Sequence, residues 1–121
     1  MIADRILILA GGLAGTAGVA LSAVAAHAGG GNVGTAASFL LMHAPAVLAV
    51  GLFNRSNLLR AGALVLTVGL AIFAGDLLMR DYAGTRLFPM AAPTGGTAMI
   101  VGWLLIAAAA FSLSRPQTGR S

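Results

Sequence analysis

The chain has 121 residues, of which 59% are hydrophobic and only 8% are charged. A soluble domain carries about 25% Asp, Glu, Lys and Arg, so this sequence lacks the polar groups to clothe a folded surface in water. The net charge of +4 comes from seven Arg against three Asp, and the Arg are scattered rather than gathered into the basic, aromatic-studded face that nucleic acid requires. With no Cys, disulfide frameworks, thiolate metal sites and Cys nucleophiles are also excluded. The class that remains is a one-domain integral membrane protein, with the lipid bilayer as its solvent and no nucleic acid among its partners.

The charges punctuate the chain. Residues 6 to 54 contain no Asp, Glu, Lys or Arg, and since one bilayer crossing takes about 20 apolar residues, this stretch predicts two helices and a turn. The first helix is expected over Arg5–Ala28. Gly29-Gly30-Gly31-Asn32-Val33-Gly34 is the least helical segment and is read as the turn. The second span is expected over Thr35–Phe53, and Asn54-Arg55-Ser56-Asn57 is the next polar turn. A third span follows over Leu59–Met79, closed by Arg80-Asp81-Tyr82-Ala83-Gly84-Thr85-Arg86. The fourth runs from Pro93, which suits a first helical turn because its missing N–H has no partner to lose, to Leu113, and residues 114–121 form a polar tail. None of the four runs alternates with period two as a membrane β-strand would, and in lipid each span must satisfy its own backbone hydrogen bonds. The expected fold is all-α, a four-helix bundle in the membrane.

Counting Arg gives an orientation. Arg5, Arg55, Arg60, Arg115 and Arg120 fall on one side, Arg80 and Arg86 on the other, so the positive-inside rule expects both termini in the cytoplasm. Arg5, an apolar stretch and Ala23-Val24-Ala25 before Ala26-His27-Ala28 also fit a cleaved signal peptide loosely. The region is longer than an ordinary h-region and is interrupted by four glycines, so a retained first span is the expectation.

Helix 1 carries a stripe of small residues at Gly11, Gly15, Gly18 and Ser22. In lipid such stripes let backbones approach closely, and this one reads either as a homodimer interface or as a seam within the bundle, the latter favoured. Helix 4 has a weaker set at Gly95, Gly96 and Gly102. Pro45, near the middle of helix 2, removes a hydrogen bond and crowds the Leu41 carbonyl, so a local kink is expected.

Four polar residues lie within or near the spans: His27, His43, Asp76 and Arg80. A charged Asp at bilayer depth costs about 2.5–3.5 kcal/mol, so Asp76 should face protein or water. Its partner is either Arg80, one turn on, or His27, expected on the same side of the membrane. His43, His27 and Asp76 could form a proton or cation relay. The favoured reading is plainer: a neutral, hydrogen-bonded His43, an interfacial His27 and an Asp76–Arg80 pair. Two His and one carboxylate without fixed spacing make no metal site. No catalytic, cofactor-binding or metal-ligating set is expected, and no cofactor. The literal match of residues 29–34 to G-x-G-x-x-G lacks the strand and downstream acid of a dinucleotide site, and Asn54-Arg55-Ser56 as a glycosylation acceptor falls on the expected cytoplasmic side.

Four segments in order carry a resemblance. Ala23-Val24-Ala25-Ala26-His27 resembles a Gly-Ala-Phe-Gly-Ala-His motif, and Phe39 through His43-Ala44 is similar to an apolar lead into His-x-Leu-Ala. Ile72-Phe73-Ala74-Gly75-Asp76-Leu77 resembles Leu-Phe-Ser-Gly-Ser-Leu, and Pro93-Thr94-Gly95-Gly96 with Gly102-Trp103 resembles Thr-Pro-x-Gly-Gly followed by Gly-Trp. Over residues 5–113 the chain resembles the domain of unknown function 423 family, small four-span bacterial membrane proteins with mitochondrial relatives. The resemblance implies a helical bundle in the bacterial inner membrane and brings no activity or catalytic residue. Asp76 departs from the pattern, which has Ser there, and Pro45 stands where a helix former is usual; the first loop is shorter and richer in Gly.

The leading functional expectation is a non-enzymatic membrane protein that acts through its helix surfaces, as an accessory or assembly partner of another membrane protein. The alternative is a small dimeric transporter or a proton or cation pathway. Small multidrug exporters of similar size couple through a Glu in the first span, and this chain contains no Glu.

Overall fold

Each apolar run coils into one helix. The computed structural model describes residues 2–28, 31–53 and 55–113. They form α1 (Ile2–Ala28), α2 (Asn32–Phe53), α3 (Asn57–Tyr82) and α4 (Ala91–Ala109). All four are long and apolar enough to cross a membrane. Even the shortest, α4 with 19 residues, is about 29 Å long at 1.5 Å per residue, close to the hydrocarbon thickness of about 30 Å. Among the described residues there is no strand.

The helix ends differ from the expected boundaries for identifiable reasons. α2 starts at Asn32 rather than Thr35, so Asn32-Val33-Gly34 is helix and only Gly31, at φ 67°, belongs to the described part of the turn. The cause is a cap supplied from far along the chain: the Asp81 carboxylate accepts the Asn32 side-chain N–H at 3.0 Å and the Val33 backbone N–H at 3.0 Å. α3 starts at Asn57 rather than Leu59 because Ser56, in extended conformation, accepts the Leu59 N–H at 3.1 Å. α4 starts two residues before Pro93 and ends at Ala109 rather than Leu113. The N–H groups of Ala110, Phe111 and Ser112 turn back onto the carbonyls of Ala107, Ala108 and Ala109, which closes the helix in tight turns. α2 continues through Pro45 to Phe53 as one helix. Gly29, Gly30, Asn54, Arg115, Arg120 and the rest of the polar tail lie outside the described residues.

Two antiparallel hairpins, α1–α2 and α3–α4, are joined by packing of α2 on α3, with a short touch between α1 and α3. α2 and α3 therefore form the middle and α1 and α4 the flanks. The core is aliphatic and small: Leu7, Ala36, Leu40, Val47, Leu66, Leu70 and Met99 lie inside it. The outer faces carry large apolar side chains, among them Leu9, Leu13, Val19, Val68, Ile100 and Leu104, a surface made for lipid.

Glycines set how closely the helices approach. On α3, Gly62, Gly69 and Asp76 recur every seven residues, and on α4 so do Gly95, Gly102 and Ala109; all six are buried. A seven-residue repeat keeps one row turned toward the partner helix. A Cβ at Gly95 would lie 2.6 Å from the Phe73 nitrogen and one at Gly102 would lie 2.7 Å from the Leu66 nitrogen, so backbone meets backbone there. In α1, a Cβ at Gly11 would meet Leu48 at 3.0 Å, one at Gly15 would lie 3.8 Å from the Ala44 Cβ, and one at Gly18 would lie 2.7 Å from the Leu41 Cγ. The glycines of the expected seam thus face α2 of the same chain, and Ser22 on that stripe is partly buried.

Candidate functional site

Charge inside a span is costly, so each polar side chain must find a partner. The three acids do so by tying elements together. Asp76, wholly buried on α3, accepts Arg80 Nη2 at 2.8 Å on Oδ2 and the Leu87 backbone N–H at 2.8 Å on Oδ1. One carboxylate thereby holds its own helix one turn on and also the α3–α4 loop, whose path includes positive φ at Gly84 and at Met90, the N-cap of α4. Asp81 caps α2 from the end of α3, as described above. At the other end of the molecule, Asp4 in the first turn of α1 accepts Arg60 Nε at 2.8 Å, and Arg60 Nη1 donates to the Asn57 side-chain oxygen at 2.7 Å. That pair joins the starts of α1 and α3.

His43, near the middle of α2, is 3% exposed, and its hydrogen bonds define its state. Trp103 Nε1 donates to His43 Nε2 at 3.1 Å. An indole N–H can only donate, so Nε2 carries no proton; the proton is on Nδ1, which donates to the Phe39 carbonyl at 2.8 Å. His43 is a neutral imidazole with both nitrogens occupied. Its ring stacks on Phe39 at 5.9 Å between centroids, Phe39 contacts Phe73 at 4.7 Å, and Trp103 closes the group at 5.6 Å from His43. This aromatic cluster borders a cavity of about 380 Å³ between α2, α3 and α4.

The structure therefore brings Asp76 and Arg80 together and leaves His27 and His43 in separate surroundings. His27 is exposed near the end of α1, with Nδ1 2.8 Å from the Ala23 carbonyl oxygen one turn back, and is not a hydrogen-bond partner of Asp76. No group of three or more His, Cys, Asp or Glu that could hold a metal ion occurs among the described residues.

Three pairings lie outside the expectations from sequence: His43 with Trp103, Asp4 with Arg60, and Asp81 with the start of α2. Trp103 had a usable signal: α2 and α4 run in the same direction, and His43 and Trp103 are the twelfth and thirteenth residues of their helices, hence at the same depth. Asp4 precedes Arg5, which is expected on the same side of the membrane as Arg60, and that placement hinted at their pairing. The capping of α2 by Asp81, 48 residues away from Val33, had no local signal.

Four apolar helices, outward-facing aliphatic side chains and internally paired polar groups define a multi-pass helical membrane protein. The family model described as "Protein of unknown function (DUF423)" matches residues 17–96, and the chain belongs to that family. No curated protein and no solved structure matches it.

Proposed function

We propose that this protein is a non-enzymatic, helix-packing accessory or assembly partner of another membrane protein. The reading places it in the bacterial inner membrane with both termini in the cytoplasm. The observation that carries it is the use made of the polar residues. All three acids hold helix ends or a loop, and both nitrogens of His43 are engaged. A relay needs groups that exchange protons or ions in turn, and a neutral imidazole between a carbonyl and an indole is held in one tautomer. The outer faces of α1 and α4, by contrast, present large aliphatic side chains along their length, which is where another helical protein would pack. Five Arg against two support the orientation.

Photo-crosslinking from lipid-facing positions such as Leu13 and Leu104, followed by native purification in mild detergent, tests this. A discrete crosslinked band of constant mass that survives dilution is expected. Migration as the lone chain, with no adduct from either face, would overturn the reading. Proton or cation flux in proteoliposomes containing the purified chain alone would favour the pathway alternative.

A further inference from the structure

The cavity beside His43 differs from the shallow grooves elsewhere because it is built on a matched donor and acceptor. Its walls are Phe39, Phe73, Met99 and Trp103, its inner end is His43, and Gly96 leaves one side open: a Cβ added at Gly96 would meet nothing within 4 Å. α2 and α4 make no backbone approach to one another, so the His43–Trp103 bond and its ring contact bridge the gap between them. Trp103 is 41% exposed, with Met42 and Ile100 exposed at the mouth, and the cavity therefore opens sideways toward the bilayer rather than toward water.

We propose that this cleft binds a neutral, flat, membrane-soluble ring bearing a hydroxyl, of the phenol or quinol class, that enters from the bilayer. The chemistry of the pair selects the group. A hydroxyl inserted between the rings donates to His43 Nε2 and accepts from Trp103 Nε1–H, so every hydrogen bond that it breaks is replaced. A bare carbonyl would satisfy the indole and leave the buried imidazole nitrogen without a donor, and a hydrocarbon would leave both unmatched. A charged headgroup is disfavoured at this depth. The aromatic walls favour a planar ring over a flexible acyl chain, and about 380 Å³ lies within the usual range of small-molecule sites. The inference is independent of the accessory role: either can fail alone.

Trp103 is the only tryptophan, so a ¹⁵N-labelled full chain in lipid nanodiscs gives one indole N–H resonance that reports the bond directly. Titration with para-decylphenol should shift that resonance saturably. Decylbenzene, with the same ring and tail but no hydroxyl, should bind about tenfold more weakly, the effect of one hydrogen bond. Gly96→Leu fills the open side; its indole resonance in the absence of phenol should stay at the wild-type position, which shows an intact fold, while phenol affinity falls at least about tenfold. Equal responses to phenol and hydrocarbon, a response that never saturates, or full affinity in Gly96→Leu would each overturn the proposal.

Discussion

At the scale of single residues, Asp76 shows what a buried acid contributes when two elements depend on it. It takes one hydrogen bond from a guanidinium and one from a backbone N–H eleven residues on. The substitutions Asp76→Asn and Asp76→Ala separate these roles, since Asn keeps an oxygen for Leu87 but removes the charge facing Arg80, whereas Ala removes both. Thermal midpoints in detergent should fall in the order wild type, Asn, Ala, with the larger loss of loop protection in hydrogen exchange for Ala; equal midpoints for all three would show that the carboxylate holds nothing. His43 gives a second residue-level expectation. Trp103→Phe removes the indole donor to Nε2 and keeps an aromatic ring, so it should cost about 0.5–2 kcal/mol. In a His43→Leu background the same change should cost less, because no acceptor is left to orphan. Reversible unfolding in mixed micelles, read as a double-mutant cycle, measures that difference.

At the scale of helices, the spacing of glycines decides which pairs pack closely. Gly95 has no room for a methyl group: its Cβ would sit 2.6 Å from one backbone nitrogen and 2.7 Å from a carbonyl oxygen of α3. Gly95→Ala should therefore push α4 off α3 and destabilise by about 1–3 kcal/mol, the usual scale of overpacking. Gly12→Ala meets nothing within 4 Å and should be neutral or slightly stabilising through helix propensity. Equal effects at the two sites, measured by the same unfolding assay, would mean that helix propensity rather than close approach governs both. The contrast also shows what was legible in the sequence. The four spans follow from gaps between charges, because an unpaired charge in lipid is costly and therefore rare. The row Gly11-Gly15-Gly18 was visible because it lies in one helix at steps of three and four. The tighter α3–α4 contact was only half visible, since Gly62 and Gly69 are seven apart and gain meaning only when Gly95 and Gly102 are set against them. Likewise, the first turn of α2 depends on Asp81, and no local pattern around Asn32 announces a cap that arrives from the end of another helix.

At the scale of the whole molecule, the arrangement of the ends bears on topology. Asp4–Arg60 joins the starts of α1 and α3 at one end, while Asp76 and Asp81 hold the α3–α4 loop and the start of α2 at the other. Four helices crossing in alternation put the far end of α4 on the same side as the start of α1. In the proposed orientation, which rests on the Arg bias, that side is the cytoplasm. Since the chain has no Cys, single cysteines report on this without background. Thr85, exposed in the α3–α4 loop, and Ser112, exposed beyond α4, lie at opposite ends. Thr85→Cys should react with a membrane-impermeant maleimide in intact spheroplasts, and Ser112→Cys only after the membrane is opened. The reverse pattern would place the termini outside, and the imbalance of Arg would then fail as the determinant of orientation for this chain. Labelling of both from outside would mean that α4, the single helix between those two positions, does not cross, because one crossing must leave them on opposite faces.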